Sequence, residues 1–314
     1  MIKRPSAQRT AAKTFTRFRP MIRSRHETHD ILREKESWSL FPFKSVIRFG
    51  SETDEPDTRT HGGNRVEINT IQAVRNSSSK MLMKQKFDAA GIQTSDWYML
   101  ILGDTMHLRD MQNNGNRVNT DTLHFPLLAK KTFGSRGEGM RKFDNVGQLD
   151  TWLHVHASED SQWIIEQYYA YSKEYRLHVT RNGCFYAIQK KLRNGTPDAE
   201  KFYRNDSNSV WICEFSVTGT GANKRLTTQA NPAFERPSNW PTIGMAAVNA
   251  LAAVGLDIGA IDVRVQSNTD NNGRTRTPEF VILETNSAPS FETITAQKYL
   301  QVLPDLLKQK FNQR

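Results

Sequence analysis

Two carboxylates and an amide near the end of the sequence have the spacing of a metal site. Glu284 and Asn286 lie at i and i+2 in VILETNSAP, and Asp262 lies in AIDVRVQ. If both segments are strands, Glu284 and Asn286 share one face, and a hairpin pairing places Asp262 opposite Glu284. Such oxygen donors suit Mg²⁺ held together with substrate phosphates. Exposed strand residues are the alternative, but the apolar runs around both acids weaken it, because an unpaired charge there would be costly.

A lysine followed by a glycine-rich turn is the second candidate. The apolar run 125–129 predicts a strand that delivers Lys130 to a turn containing Gly134, Gly137 and Gly139. Glycines let backbone N–H groups approach and surround an oxyanion, which suits a polyphosphate. The segment has neither GxxxxGK[ST] nor a GxGxxG that opens a βαβ unit. An ordinary glycine-rich hairpin therefore stays open as the alternative.

An aromatic and acidic segment at residues 163–179, WIIEQYYAYSKEYRLHV, is the third candidate. Its first strand contains Glu166, and Glu174 and Arg176 follow as an acid–base pair. Stacking on its rings and backbone hydrogen bonds could hold an adenine, whereas an aromatic β-sheet core is the alternative. We find no convincing Ser/His/Asp or Cys/His set. His154 and His156, for example, lie at i and i+2 of a predicted helix and do not share a face.

Most of the net charge lies near the N-terminus. The chain of 314 residues has a formal charge of +10, and residues 1–35 hold ten basic and three acidic residues. An apolar stripe predicts a short helix in this segment: Ala11, Phe15, Phe18 and Ile22. We expect a flexible basic arm over residues 1–37. A mobile terminus, a contact with nucleic acid or an acidic protein, and a mitochondrial-type targeting helix are the three interpretations.

The composition excludes several other classes of protein. No run approaches the roughly 18 apolar residues of a membrane span, so we expect no transmembrane protein and no membrane partner. Two cysteines, Cys184 and Cys213, exclude a disulfide-rich scaffold and a cysteine-based zinc site. We expect both to be buried free thiols. The expected location is cytoplasmic, with organelle targeting by the basic N-terminus as the alternative.

Helical and strand patterns are mixed along the chain, which predicts an α+β fold. A strand is expected at 45–49, and a helix with its N-cap within 77–79 is expected to stop at Gly91. The pair Asn182-Gly183 predicts a hairpin turn. Residues 219–232 have a loop composition.

The order of these features along the chain resembles that of the ATP-grasp superfamily. FPLLAKKTFGSRGEGM is similar to its phosphate-binding strand and loop, IIEQYYAYSKEYRLHV to its nucleotide hinge, and AIDVRVQ with EFVILETNSAPSFE to its metal-binding strands. The similarity covers about residues 70–300. The spacing and the closing Asn-x-x-Pro-Ser are most similar to RimK-like peptide and amino-acid ligases. The resemblance implies two α+β subdomains that clamp ATP, preceded by a small α/β domain and the basic arm.

The resemblance also implies domain limits. We expect the N-terminal α/β domain at residues 38–104 and the ATP-grasp domain at residues 105–314. Within the latter, the small lid subdomain is expected at about 120–165 and the large subdomain at about 166–314.

Roles in phosphate binding follow from the resemblance. Lys80, in NSSSK, matches the first ATP lysine of the family, and Lys130 matches the second. Ser135, Arg136 and Gly137 match the mobile loop that closes over the phosphates.

Further positions match the rest of the implied site. Glu166 and Tyr168 match the hinge that reads the adenine edge, largely through the backbone, and Glu174 matches the ribose-binding acid. The catalytic positions that face the γ-phosphate match Arg176 and Lys191. The neighbouring Lys190 is retained as a nucleotide ligand, because the turn length leaves the choice between the two lysines open. Three residues match the Mg²⁺ ligands: Asp262, Glu284 and Asn286.

The activity implied by the resemblance is ADP-forming carboxylate–amine ligation that uses ATP and Mg²⁺, with Mn²⁺ as an alternative ion. A substrate carboxylate attacks the γ-phosphate, and an amine then displaces phosphate from the acyl phosphate. We expect an amino acid, a peptide or a protein terminus as substrate, and a homo-oligomer by analogy. Two alternatives are an ATP-binding protein without ligase chemistry and a nucleic-acid-associated or assembly protein that acts through residues 1–35.

Overall fold

A computed structural model gives the fold of the chain. The structure describes these residues: 17–24, 27–53, 65–101, 107–113, 115–134, 137, 139–156 and 162–314.

A three-stranded parallel sheet opens the described part of the chain. Its order is β1-β2-β3. The strands are β1 (Met21–Ser24), β2 (Lys44–Phe49) and β3 (Arg65–Ile68). Apolar residues of β2 and β3 pack against the long C-terminal helix α5 (Thr293–Asn312). The expected strand at 45–49 is therefore confirmed.

The N-terminal apolar stripe is extended where the structure describes it. Phe18 forms a β-bridge with Phe41, and Ile22 lies in β1. The predicted helix is therefore wrong for these two residues, because pairing with the rest of the fold supplies the hydrogen bonds that a helix would otherwise make internally. Ala11 and Phe15 lie outside the described residues.

The second half of the expected flexible arm is folded. His29 and Leu32 are fully buried. The Nε2 atom of His29 lies 2.8 Å from the carbonyl oxygen of Pro289, and its ring centroid lies 4.2 Å from that of Phe291. The prediction of a flexible arm over 1–37 is thus wrong for its described residues, because apolar and aromatic burial anchors a segment that its charge alone would leave in solvent. Residues 1–16 lie outside the description.

Two consecutive helices follow β3. They are α1 (Ile71–Ser78) and α2 (Lys80–Ala89). Ser79 separates them, and its hydroxyl accepts a hydrogen bond from the amide of Leu82 at 3.3 Å, so it caps α2 within the predicted stretch. The expected helix before Gly91 is confirmed, whereas α1 was not predicted.

A six-stranded sheet carries the glycine-rich segment. Its strands are β4 (Trp97–Ile101), β5 (His107–Asp110), β6 (Asn116–Arg117), β7 (Leu127–Lys131), β8 (Arg141–Phe143) and β9 (Trp163–Gln167), in the order β6-β5-β4-β9-β7-β8. The helix α3 (Val146–Val155) packs on it through Leu149 and Leu153. Because β4 and β5 pair directly, the expected boundary after residue 104 divides this sheet. The expected limit after residue 165 falls within β9.

A five-stranded antiparallel sheet forms the larger body. Its strands are β10 (Lys173–Thr180), β11 (Gly183–Leu192), β12 (Ser209–Cys213), β15 (Ile258–Val265) and β16 (Phe280–Asn286), in the order β12-β11-β10-β15-β16. Between β12 and β15 come the hairpin β13 (Phe215–Thr218) and β14 (Arg225–Ala230) and the helix α4 (Trp240–Ala253). The Asn182-Gly183 turn is confirmed. The expected loop at 219–232 is corrected, because β14 pairs there with β13.

The two faces of this sheet differ in chemistry. On β10, Tyr175, Leu177 and Val179 belong to the apolar core together with residues of α4. The alternate positions Glu174 and Arg176 point to the opposite face, which we call the polar face.

Two further expectations concern the whole chain. Cys184 and Cys213 are free thiols, but Cys184 is exposed and Cys213 is half-buried, so the expectation that both are buried is wrong. Within the described ranges, no helix has both the length and the apolar character that a membrane crossing requires.

A buried asparagine joins the first sheet to the larger one. Asn69 is fully buried with a φ of 59°, a conformation that Asn tolerates better than most residues. Its Oδ1 atom accepts from the amides of Asp257 (2.8 Å) and Ile258 (3.2 Å). Its Nδ2 atom donates to the carbonyls of Arg48 (3.0 Å) and Ile258 (2.9 Å).

We expect Asn69→Ala to lower the free energy of unfolding by about 3–5 kcal/mol, because buried backbone groups lose their partners and Ala disfavours this φ. Urea denaturation measures the change. Asn272→Ala, at an exposed turn, serves as the control and should change stability by no more than about 0.5 kcal/mol. Equal effects of the two substitutions would contradict the assigned role of Asn69.

Candidate active site

The two acids of the predicted metal site face each other across a strand pair. β15 and β16 pair antiparallel, with Asp262 opposite Glu284. Asn286 lies two residues further along β16, and its Nδ2 atom donates to Glu284 Oε1 at 3.3 Å. Asp262 is almost fully buried, and Glu284 is half-buried. The structure thus brings together the three oxygen-bearing side chains proposed as metal ligands.

Asp262 is held by two cations, one from β10 and one from β11. Arg176 donates from Nε to Oδ1 at 2.8 Å and from Nη2 to Oδ2 at 2.9 Å, and Lys190 Nζ donates to Oδ2 at 2.6 Å. Burial alone would raise the pKa of Asp262, but Arg176 and Lys190 outweigh it and hold this pKa well below its ordinary range. The carboxylate therefore stays ionised inside the protein.

Glu174 is surrounded by three cations. Lys190 donates to its Oε1 at 3.1 Å, while Arg264 at 3.1 Å and Arg204 at 3.3 Å donate to its Oε2. Burial raises the pKa of Glu174, but these cations outweigh it and lower the pKa to about 2. The expected ribose-binding acid is thus part of an ion-pair network, and Lys190 links it to Asp262.

The two neighbouring lysines lie in different surroundings. Lys190 is 4 % exposed and lies on the polar face between Glu174 and Asp262. The next residue, Lys191, is exposed and contacts Glu235 at 3.4 Å. Lys191 therefore lies on the other face of the strand from Lys190, because a one-residue step along a strand reverses the direction of the side chain. Its expected place beside the γ-phosphate stays a prediction.

Glu166, on β9, is a buried carboxylate that pairs with two lysines. It pairs with Lys130 through Oε1, and with Lys84 through Oε2 at 3.1 Å. Ser95 Oγ donates to the same Oε2 at 3.1 Å. Burial raises the pKa of Glu166, but Lys130 and Lys84 outweigh it and lower the pKa to about 2. The side chain of Glu166 therefore binds two lysines. The role expected for Glu166 at the adenine edge involves its backbone and is a separate matter.

Lys80 connects α2 to the glycine-rich loop. Its Nζ atom donates to the Gly134 carbonyl at 2.8 Å, and its amide donates to the Thr132 carbonyl at 2.9 Å. Burial lowers its pKa, while Glu284 acts in the opposite direction. Lys80 therefore lies near enough to Glu284 for the two charges to interact.

The glycine-rich loop is described in part. Gly137 has a φ of 75°, and a Cβ atom built on it would lie 3.3 Å from the Tyr203 ring. A side chain would therefore strain the backbone and crowd that ring. Ser135 and Arg136, the other expected loop residues, lie outside the described residues.

Tyr168, the residue after β9, contacts a cation of the ion-pair network. The Tyr168 ring lies 5.0 Å from the guanidinium of Arg264. The Tyr168 amide donates to the Pro126 carbonyl at 3.0 Å, so this N–H group already has a partner within the protein.

Several residues of the site were not predicted from the sequence. Lys84 lies four residues after Lys80, so both lie on one face of α2, and that spacing could have indicated it. Arg264 lies two residues after Asp262 on the same strand face, which is a comparable signal. Arg204 lies in a polar loop without periodicity, and we find no sequence signal for it.

The shifted pKa of Glu166 predicts how stability depends on pH. Its pKa of about 2 in the folded state lies below the ordinary value of 4.5, so its contribution is complete above pH 4.5 and is lost as pH falls towards 2. We expect the free energy of unfolding to fall less steeply in Glu166→Gln than in the wild type as pH is lowered from about 5 to 2.5. Urea denaturation across that range measures it, and parallel curves for wild type and variant would be the contrary result.

The fold has relatives among solved structures. No protein-family model and no curated protein matches the chain. Two structures of D-alanine–D-alanine ligase from Bacillus anthracis are each 13 % identical and cover 92 % of this chain. The one complexed with ATP has a TM-score of 0.52 with 84 % of its own chain covered. The other has a TM-score of 0.54 with 86 % covered. The chain therefore has the α+β architecture expected from its sequence, and that architecture is the ATP-grasp fold.

Proposed function

We propose that this protein is an ATP-dependent carboxylate–amine ligase that forms an amide bond through an acyl phosphate. The observation that carries the proposal is the pairing of Asp262 with Glu284 on a sheet face lined with cations. The D-alanine–D-alanine ligase with the same fold, solved in complex with ATP, supports a nucleotide in this position.

The side chains at the strand pair fit a divalent cation. Asp262, Glu284 and Asn286 offer carboxylate and amide oxygens, the donors that Mg²⁺ prefers. A Mg²⁺ ion held by these oxygens would take the rest of its coordination from substrate phosphates and water, and it would supply charge neutralisation for phosphoryl transfer.

Four cations are available for phosphate oxygens. Lys80 and Lys130 come from the side of the glycine-rich loop, and Arg176 and Lys190 come from the polar face of the larger sheet. In the described structure each is held by a carboxylate or a carbonyl. Polyphosphate oxygens can replace these acceptors without leaving any cation unpaired, which is the exchange that a nucleotide site requires.

The proposed reaction needs positioning and charge neutralisation more than covalent catalysis. An oxygen of the substrate carboxylate attacks the γ-phosphorus, the bond to the bridging oxygen breaks, and ADP leaves. The amine then attacks the acyl carbon, phosphate leaves, and the ammonium proton passes to solvent. The roles of Arg176 and the lysines are to orient the phosphate and to stabilise its transition-state charge.

The substrate class forms the finer part of the proposal. The segment after β16 contains Asn286, Pro289 and Ser290 in the pattern that resembles RimK-like ligases. On this basis we propose an amino acid, a peptide or a protein terminus as the substrate.

Release of ADP tests the proposal. We expect ATP, Mg²⁺ and pooled amino acids and peptides to give ADP release that depends on the pool. Lys130→Met should lower the rate about 10²–10³-fold, because a phosphate-stabilising charge is lost. Lys131→Met is the matched control, since Lys131 is the exposed neighbour on the other side of the strand, and it should keep the rate within about twofold of wild type.

The ADP-release assay, together with a measurement of ATP binding, has three distinct outcomes. Pool-dependent turnover that needs Lys130 supports the ligase. Binding of ATP without turnover in any pool would favour an ATP-binding protein without ligase chemistry. Absence of ATP binding in a folded protein would contradict a nucleotide site on this face.

A further inference from the structure

The carboxylate proposed as a metal ligand has both of its oxygens engaged by side chains of the same protein. Asp262 Oδ1 accepts from Arg176 at 2.8 Å, and Oδ2 accepts from Arg176 at 2.9 Å and from Lys190 at 2.6 Å. The side chains of Asp262 and Lys190 are each 4 % exposed. A divalent cation that bound Asp262 in this arrangement would lie next to two positive charges in a region of low dielectric, where their repulsion is strong.

The two cations are themselves held in place by a ring. The guanidinium of Arg176 lies 5.2 Å from the centroid of Trp211, and Lys190 Nζ lies 5.3 Å from it. Lys190 also donates to Glu174 at 3.1 Å. Trp211 therefore favours the arrangement in which both cations lie beside Asp262.

Glu284, the other acid of the strand pair, is not occupied in the same way. Its Oε1 atom accepts from the amide of Asn286 at 3.3 Å, a neutral donor. The barrier to a metal ion thus lies on the Asp262 side of the site and comes from Arg176 and Lys190.

We propose that Arg176 and Lys190 act as counter-ions that keep a divalent cation away from Asp262. They release Asp262 when the oxygens of a polyphosphate replace it as their acceptor. Phosphate oxygens are acceptors of comparable strength, and Lys190 can keep its contact with Glu174 while it moves. The metal ion therefore binds with the nucleotide or after it, and the free protein binds the ion weakly. This inference rests on the metal and nucleotide site of the proposed function.

Titration of Mn²⁺ without nucleotide tests the inference directly. Mn²⁺ replaces Mg²⁺ as a probe, because electron paramagnetic resonance counts the free ion. We expect weak binding to the full-length wild type and an increase in affinity of about tenfold or more in Lys190→Met, since one repelling charge is gone. Lys191→Met is the matched control, because Lys191 is exposed and contacts Glu235. It should leave the Mn²⁺ affinity unchanged.

A second pair of variants keeps the test valid if one of them folds poorly. Arg176→Gln should raise the Mn²⁺ affinity in the same direction as Lys190→Met. Adding Glu284→Gln to Lys190→Met should remove the gain, because the ion then loses a ligand. Circular dichroism confirms that each variant is folded.

Tryptophan fluorescence reports the movement of the cations. Addition of ATP in the presence of EDTA should change the emission of the wild type, because two charges leave the ring of Trp211. In Trp211→Phe, the same addition of ATP should give a smaller change in emission, because the contribution of Trp211 is absent.

Two results would overturn the inference. One is wild-type protein that binds Mn²⁺ without nucleotide as tightly as Lys190→Met does. The other is a gain in Lys190→Met that survives Glu284→Gln, which would locate the ion elsewhere. Neither depends on amide formation, so a protein without ligase activity can still pass this test, and an active ligase can still fail it.

Discussion

A buried carboxylate stays ionised in a protein when hydrogen-bond donors or cations inside the fold replace the water that it has lost. Asp262, Glu174 and Glu166 all meet this requirement, and each is shared by at least two lysines or arginines. The requirement ties strands together that are distant in sequence: the ion pairs of Asp262 join β15 to β10 and β11. The site and the architecture of the larger sheet therefore depend on the same ion pairs.

The same constraint connects the smaller sheet to the rest of the molecule. Lys80 and Lys84 are one helical turn apart on α2. Lys80 reaches the carbonyl of Gly134 after β7, and Lys84 reaches Glu166 on β9. Lys84 is fully buried and also contacts the hydroxyls of Thr94 and Ser95 at 2.7 Å each. Two side chains of one short helix thus hold both the glycine-rich loop and β9.

The sequence was sufficient to predict those parts of the site that depend on strand geometry. The alternation of a strand and an antiparallel hairpin place Asp262 opposite Glu284, and no longer-range knowledge is needed for that. The same alternation could have separated Lys190 from Lys191, but the length of the preceding turn was uncertain. Arg204 could not be predicted, because its contact with Glu174 spans a polar loop whose path is set by tertiary packing.

The N-terminal segment shows the opposite case. Its charge and its apolar stripe predicted a flexible arm with a helix, whereas Phe18 and Ile22 are extended and His29 is buried. The local sequence pattern did not predict this conformation, because the residues that the segment contacts lie far away in sequence. The ring of Phe291 and the carbonyl of Pro289 are about 260 positions from His29, and no local periodicity reports such contacts.

This anchoring of His29 also decides how the chain can be divided. The carbonyl that His29 contacts belongs to the stretch directly after Asn286, and the hydroxyl of Thr28 accepts from the amide of Phe291 at 3.1 Å. A shortened chain beginning at residue 38 would lose both attachments next to the carboxylate strands. We therefore expect that residues 28–29 and the segment after β16 have to be exchanged or redesigned together, although about 260 positions separate them.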